Sequence, residues 1–132
     1  VLKRATDLAR ELIPSHQAVT SFNIVSSAGT QNIHTVSLSD KYARWRNYTE
    51  TPDGSGIYRI ITETNQVMRM TQAELESHPA WKGFGRAKAN HPPMRGWLAA
   101  PLKSADGQNF GMIQMSVSTM RPTKLFWCNW PT

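Results

Sequence analysis

The sequence predicts a single α+β domain built on an antiparallel sheet. Two segments have the helical spacing of apolar residues, four segments have the pattern of strands, and short turns join the strands in pairs. Strands joined by short turns pair antiparallel, because parallel pairing needs a long crossover. A length of 132 residues fits one domain. We therefore expect helices packed on one side of an antiparallel sheet.

The chain begins with a predicted helix that is followed by a hairpin. Apolar residues recur at spacings of three and four over residues 2–13, and Pro14 ends this helix. Residues 17–27 alternate between two faces, as a strand does. A turn cluster at 28–32 leads to a second strand over 33–39, so the two strands should pair antiparallel. One face of the first strand carries Ala18, Thr20, Phe22 and Ile24.

The middle of the chain is predicted to be helical. Apolar positions over residues 57–68 follow the i, i+3, i+4, i+7 pattern. Ser55 or Gly56 is expected to cap this second helix. Thr71 and Glu74 have the spacing of a capping box. The short segment that they open either continues the second helix or begins a new one.

A long connection and a second hairpin complete the predicted fold. The connection over residues 77–96 contains glycines and basic residues, and loops of this length within a domain usually carry function. Strands are expected over residues 97–102 and 110–117. Asp106 and Gly107 between them form the usual signal for a hairpin turn.

Composition and charge exclude several classes of site. The chain has 15 Lys and Arg against 9 Asp and Glu, and this net charge of +6 permits an acidic partner without demonstrating one. Cys128 is the only cysteine, so paired-cysteine zinc sites, iron–sulfur clusters and internal disulfides are excluded. No apolar run approaches the ~20 residues of a membrane-spanning helix. We expect a cytoplasmic domain without membrane contact.

Three segments, together with the leading helix, carry a resemblance to a known family. They are HTVSLSDKYARWRNY (34–48), GSGIYRIITETNQVMRMTQAELESHPAW (54–81) and RGWLAAPLKSADGQNFGMIQMS (95–116). The chain resembles the GAF domains, which are small ligand-sensing modules of bacterial signalling proteins such as sensor histidine kinases. The last segment, a strand–turn–strand ending, is the most specific of the three. The resemblance covers residues 1–116.

The resemblance implies a central antiparallel sheet with the terminal helices on one face and a ligand pocket on the other, beneath the long connection. It also implies a homodimer formed through the terminal helices, and signal output to an effector domain of the same protein, such as a histidine kinase. The motifs of the cyclic-nucleotide, bilin and methionine-sulfoxide reductase members are missing, so the small-molecule ligand and any cofactor stay unnamed. By family position and residue type, the expected ligand-binding residues are Phe22, His34, Tyr42, Trp45, Trp81, Met94, Arg95 and Trp97.

Residues 117–132 do not fit the terminal helix that the resemblance implies. They contain Pro122 and Pro131 and have no helical stripe. When compatible codons are read from the third base of the Val117 codon, some shifted codons are forced and specify leucine, valine, glutamine or stop, leucine and alanine. With permissible codons the whole shifted segment can read as a helical apolar pattern. We interpret this segment as a frameshifted tail that replaces the natural terminal helix. A divergent extension or vector sequence is the alternative, and sequencing the coding DNA distinguishes the two.

The sequence contains no motif for catalysis or metal binding. The four histidines lack metal-ligand spacing, and the glycines at 83–85 lack the frame of a phosphate-binding loop. We therefore expect a regulatory ligand-binding domain that is not an enzyme and binds no nucleic acid, with a ligand-free dimerisation module as the alternative. The basic residues of the long connection could bind single-stranded nucleic acid, hold an anionic ligand or form a solvated rim. They are Lys82, Arg86, Lys88 and Arg95.

Overall fold

The computed structural model describes residues 1–47, 55–83 and 91–116. The interpretation of residues 117–132 as a frameshifted tail therefore lies outside the described residues, as does the middle of the long connection. The elements, in chain order, are helix α1 (Leu2–Leu12), strands β1 (Gln17–Ser26) and β2 (Gly29–Leu38), a 3₁₀ helix (Asp40–Trp45), helix α2 (Ile57–Thr64), strand β3 (Met68–Thr71), helix α3 (Gln72–Ser77), and strands β4 (Gly96–Lys103) and β5 (Asn109–Ser116).

The five strands form one antiparallel sheet in the order β2-β1-β5-β4-β3. The two predicted hairpins are confirmed as β1–β2 and β4–β5. Pairing of β1 with β5 joins the hairpins at the centre of the sheet. The predicted α+β class is confirmed, and the sheet presents two faces that the rest of the chain covers differently.

Strand β3 departs from the prediction, which continued a helix through Met68. Helix α2 instead ends at Thr64, because Asn65 adopts the left-handed conformation (φ 55°, ψ 31°) that stops a helix. The Asn65 Nδ2 donates a 3.0 Å hydrogen bond to the Gly107 carbonyl, and its Oδ1 accepts one of 3.1 Å from Asn109 Nδ2. These bonds tie the end of α2 to the β4–β5 turn, and the chain that follows pairs with β4.

Local capping signals place the starts of α2 and α3. Gly56 is the N-cap of α2 and has a positive φ of 64°, which glycine adopts without strain. The predicted capping box is confirmed: Thr71 Oγ1 accepts from the Glu74 amide, and the Glu74 carboxylate accepts from the Thr71 amide at 2.7 Å. The segment after Thr71 is therefore a new helix and not a continuation of α2.

The apolar core lies on one face of the sheet, beneath α2 and α3. Alternation along the strands points every second residue of β4 and β5 toward these helices. Burial of a large apolar side chain stabilises a fold by roughly 1.5–3 kcal/mol, so this face supplies most of the hydrophobic stabilisation. The buried core residues are Ile57, Ile61, Met70, Leu75, Trp97, Ala99 and Met112.

Helix α1 packs on the opposite face of the sheet through polar side chains. Thr6 is fully buried, and its hydroxyl donates to the Leu2 carbonyl at 2.9 Å and lies 2.8 Å from the Thr20 hydroxyl on β1. Arg10 Nε donates to Ser37 Oγ on β2 at 2.9 Å. Hydrogen bonds between polar side chains therefore hold α1 to both strands of the first hairpin.

The apolar stripe of α1 faces outward. Leu8 is 40% exposed and Leu12 is 81% exposed, while the polar Thr6 is buried. The helix is amphipathic as the spacing predicts, but among the described residues Leu8 and Leu12 of its apolar side stay exposed, while Leu2, Ala9 and Ile13 are half-buried. An exposed stripe of this kind is typical of a surface that contacts another helix or another chain.

Candidate functional site

A small cleft opens on the face of the sheet that carries α2 and α3. It has a volume of about 240 Å³, including the part open to solvent. Strands β1, β4 and β5 form its floor, and helix α2 and the segment after residue 90 form its walls. The lining residues are Gln17, Val19, Tyr58, His91, Met94, Trp97, Gln114, Met115 and Ser116.

Strand register brings the floor residues together from three distant parts of the sequence. Gln17 of β1 lies directly opposite Ser116 of β5, which lies opposite Trp97 of β4. In the next row on the same face, Val19 lies opposite Gln114. Residues opposite each other on neighbouring strands point to the same side, so the two rows form one continuous floor.

Two buried amides and an indole form the polar part of this floor. Trp97 Nε1 donates a 3.0 Å hydrogen bond to Gln114 Oε1, and both side chains are buried. Gln17 is only 6% exposed. Within the described part of the chain, no hydrogen bond from the Gln17 side chain is found. The cleft therefore contains hydrogen-bonding capacity that the protein does not use itself.

An aromatic cluster holds the segment that walls the cleft. The Tyr42 hydroxyl donates a 2.9 Å hydrogen bond to the Pro93 carbonyl, next to the lining residue Met94. The Tyr42 ring stacks on His16 with centroids 4.8 Å apart and meets Trp45 edge to face at the same distance. The 3₁₀ helix thus anchors the segment from behind, through a buried tyrosine.

The histidine of the cleft is kept neutral by burial. Burial lowers the pKa of His91 below its ordinary value of 6.5, and the hydrogen bond between its Nδ1 and the Pro92 carbonyl (2.7 Å) opposes this shift. Behind the wall, burial raises the pKa of Tyr42, and the nearby Arg95 acts in the opposite direction. At neutral pH none of the described lining residues carries a charge.

No metal site or membrane-spanning helix is found among the described residues. Within residues 1–47, 55–83 and 91–116, no three His, Cys, Asp or Glu side chains lie close enough to share a metal ion. In the same ranges no helix has the length and apolar character needed to cross a bilayer.

Comparison with known proteins identifies the fold. No family model matches the chain, and no curated protein matches it in sequence. Solved structures do match. The GAF domain of a phosphoenolpyruvate-protein phosphotransferase from Coxiella burnetii has a TM-score of 0.60 and 19% identity, over 88% of this chain and 64% of that one. The chain has a GAF fold.

Two further solved structures share this GAF fold. A Staphylococcus aureus NreA protein mutated in its nitrate-binding site has a TM-score of 0.59 and 18% identity, over 98% of this chain and 91% of that one. The GAF domain of the cyanobacteriochrome TePixJ has a TM-score of 0.56 and 14% identity, over 88% of this chain and 69% of that one. Identities at this level show the fold alone.

The GAF fold places the eight predicted ligand-binding residues in different surroundings. Met94 and Trp97 line the cleft. Tyr42 and Trp45 lie behind its wall, where they hold the segment around Pro93. These four residues lie in the cleft or in the cluster that supports it, and their role as ligand contacts stays a prediction.

The other four predicted residues do not line the cleft. Trp81 is half-buried and packs against the apolar core. His34 lies opposite Ser21 on the edge strand β2, and Arg95 is exposed. Phe22 points to the α1 face, as its spacing from Thr20 requires, and stacks on Phe110 with centroids 5.4 Å apart. Phe22 therefore faces away from the cleft.

Sequence reasoning missed most of the polar lining. Gln17 and Gln114 are polar residues at buried strand positions, where alternation alone suggests a solvent-facing side chain. What marks them is that each glutamine lies on the same strand face as buried apolar neighbours. This feature can be recognised only once the pairing of the strands is known. Tyr58, His91 and Ser116 were likewise not predicted to line the cleft.

Proposed function

We propose that the chain is a sensory domain of a signalling protein and binds a small molecule in the cleft. The observation that carries the proposal is the pair of buried amides, Gln17 and Gln114, that open onto this space. Gln114 accepts a hydrogen bond from Trp97, and Gln17 borders the open part of the cleft, so both amides place polar groups where a small occupant can hydrogen-bond to them.

The solved structures with the same fold support a ligand-binding role of this kind. One of them, NreA, is described by its nitrate-binding site, and another is the GAF domain of a cyanobacteriochrome. The ligands differ between proteins that share one scaffold, so the fold supports the type of function and leaves the ligand to be read from the residues of the cleft.

Strand β1 offers a physical route from the cleft to helix α1. Gln17 and Val19 face the cleft, while Thr20 on the other side of the same strand bonds Thr6 of α1. A ligand that shifts β1 therefore changes how α1 packs on the sheet. We propose that the domain acts by such a population shift, without catalysis, in the cytoplasm, and passes it to an effector such as a histidine kinase in the same protein.

Native mass spectrometry of the freshly purified 132-residue chain tests ligand binding. We expect an additional small mass on the native protein that disappears on denaturation. Met94→Trp, which fills the cleft, should abolish this mass, while Gln31→Trp on the exposed edge strand should keep it. The proposal fails if the native mass equals that of the bare chain and no small molecule added from a metabolite mixture is retained.

A ligand-free dimerisation module is the second candidate, and the exposed stripe of α1 favours it. Leu8 and Leu12 present apolar surface on a helix that packs on the sheet by its polar side. Two such helices from two chains would bury these leucines against each other. A homodimer built in this way is compatible with the sensory role or can replace it.

Analytical ultracentrifugation tests the dimer. We expect Leu12→Glu to raise the dimer dissociation constant by about tenfold or more, because a charge replaces a buried apolar contact. Val67→Glu makes the same change at another exposed apolar position, away from α1, and should leave the dissociation constant unchanged. A chain that stays monomeric at every concentration would exclude this candidate.

A further inference from the structure

Strand β2 forms one edge of the sheet and has a neighbour on one side only. It is ten residues long and pairs with β1 along its whole length. Among the described residues, no strand pairs with it on the side away from β1. In an antiparallel pair, every second residue directs its backbone N–H and C=O away from the neighbouring strand. Strand β2 therefore presents a row of hydrogen-bonding groups along an edge about 34 Å long.

The exposed part of this edge is the half that lies farthest from α1. Residues 29–33 are all exposed, whereas the second half of β2 is partly covered by α1. Strand β1 behind the exposed half pairs with β5 only as far as Phe22. The tip of the β1–β2 hairpin therefore extends beyond the rest of the sheet. Its exposed apolar side chains are Ile24, Val25 and Ile33.

Edge strands usually carry features that prevent pairing with another chain, and β2 has none of them. These features are charged side chains, proline, a β-bulge or a very short strand. Residues 12–39 contain no Lys, Arg, Asp or Glu, although the whole chain has 15 basic and 9 acidic residues. Strand β2 contains no proline, and its register with β1 runs without a bulge. An edge of this length and composition is suited to pairing with a further strand.

The opposite edge of the same sheet is protected. Strand β3 has only four residues and carries the exposed Arg69. Two copies joined through β3 would bring these like charges together, which destabilises strand pairing. Pairing β2 of one copy with β3 of the next would leave an edge free at each end and give an open chain of copies. Of the two edges in the described part of the sheet, β2 is the one that joins two copies in a closed dimer without opposing charges.

Pairing of β2 with β2 of a second copy is self-complementary. Two identical strands that pair antiparallel are related by a twofold axis, so residues near the axis lie opposite themselves or their close neighbours. A charged side chain there would face its own like charge. Since β2 carries no Lys, Arg, Asp or Glu, this repulsion is absent. An axis within the exposed half also buries Ile33 against the second strand.

From these observations we propose that the exposed edge of β2 is an interface for a second copy of this chain. The two β2 strands pair antiparallel about residues 29–33 and join two five-stranded sheets into one continuous sheet. This interface goes beyond the proposed function and does not depend on a ligand. It is also distinct from the helix contact through Leu8 and Leu12, because it uses the backbone of an edge strand.

Amide hydrogen exchange of the ¹⁵N-labelled 132-residue chain tests this interface. Strand pairing protects the outward N–H groups of β2, whereas a contact through the α1 leucines does not. We expect alternate amides of β2 to exchange about tenfold more slowly at about ten times the dimer dissociation constant than in dilute solution. The outward amides of β3, at the other edge, are the internal reference and should exchange at the same rate at both concentrations.

Opposite charges at one exposed position of β2 test the twofold pairing itself. Asn32→Lys and Asn32→Glu each place like charges near the axis and should abolish the concentration dependence of exchange in β2. A mixture of ¹⁵N-labelled Asn32→Lys with unlabelled Asn32→Glu should restore it, because opposite charges then face each other. Gln66→Lys adds the same charge at an exposed position outside the strands and should have no effect.

The fold of each variant is checked by the amide chemical shifts of β5, which lies inside the sheet. Thr30→Lys and Thr30→Glu repeat the test at a second exposed position of β2, so the proposal does not depend on one site tolerating a charge.

The outcomes decide the proposal. Exchange that is slowed in the unmodified chain, released in both charge variants and slowed again in their mixture supports the β2 interface. Exchange in β2 that is independent of concentration from micromolar to millimolar overturns it. Slowing that persists in every charge variant also overturns it, because the copies then associate through another surface. Absence of a retained small molecule would end the proposed function and leave this result unchanged.

Discussion

Gly111 shows how a single position constrains the centre of the sheet. A Cβ atom placed there would overlap the Ser21 carbonyl oxygen and lie 3.1 Å from the Phe22 Cα, both on the neighbouring strand β1. Only glycine permits this close approach of β1 and β5. The approach also brings Phe22 and Phe110 into their ring stack.

We expect Gly111→Ala to lower the free energy of unfolding by about 3 kcal/mol, the upper end of the range for overpacking, because the two strands must separate. Urea denaturation followed by tryptophan fluorescence measures the change. Gly107→Ala is a matched control, since Gly107 has a positive φ of 84° but open space around it. It should cost only about 1–2 kcal/mol, the penalty of the left-handed conformation. Equal losses in the two variants would contradict the close-approach explanation.

His91 is expected to titrate below pH 6.5, because burial disfavours its charged form. The folded state then binds this proton more weakly than the unfolded state does. The resulting contribution to stability is complete above pH 6.5 and is lost as the pH falls from there through the lower pKa of the folded state. An NMR titration of the imidazole protons measures this pKa, and His91→Gln identifies the resonance. A titration at or above 6.5 would show that the ring is not desolvated.

Local sequence signals predict the helix caps and turns of this chain and part of the cleft lining, Met94 and Trp97, but not its polar floor. Thr71 and Glu74 form the predicted capping box because both partners lie within one helical turn. Gln17 and Gln114 come to lie on one floor of the cleft only after β1 and β5 pair across almost the whole sequence. The spacing of residues within one segment carries no information about pairing between distant strands, so the polar floor of the cleft was not predicted.

At the scale of elements, the contact between α1 and the sheet depends on a buried pair of hydroxyls. Thr6 donates to the Leu2 carbonyl, so the Thr20 hydroxyl acts as donor in the 2.8 Å contact between the two threonines. Each hydroxyl is buried, and removing one leaves the other without its partner.

A double-mutant cycle tests this contact. Thr6→Val and Thr20→Val should each lower the free energy of unfolding by about 1–3 kcal/mol, the cost of an unsatisfied buried hydroxyl. The double variant should lose less than the sum of the two single losses, because no unpaired hydroxyl remains between the elements. Urea denaturation of the four proteins supplies the cycle. Additive losses would show that the two hydroxyls do not interact.

Elements were predicted well where their ends carry strong local signals. The β4–β5 hairpin has the Asp106-Gly107 turn, and its two strands appear within a few residues of the predicted bounds. Strand β3 was missed because Val67 and Met68 also fit the apolar spacing of the preceding helix. The event that ends this helix is the left-handed Asn65, whose conformation depends on bonds to Gly107 and Asn109 more than forty residues away.

At the scale of the whole molecule, the sheet separates two surfaces with different chemistry. One face carries the apolar core and the cleft, and the other carries α1 with its polar contact to β1 and β2. Strand β1 contributes alternate residues to both faces. This arrangement supports the proposal that a ligand in the cleft alters the packing of α1 on the sheet, because β1 forms part of both surfaces.

The most direct test of ligand binding in the cleft is electron density from crystals of the purified 132-residue chain. The account predicts density for one small molecule in the cleft, within hydrogen-bond distance of the Gln17 or Gln114 side chain. A cleft filled instead by the side chains of Tyr58 or Met94, with no small molecule bound, would contradict the account and favour the dimerisation module.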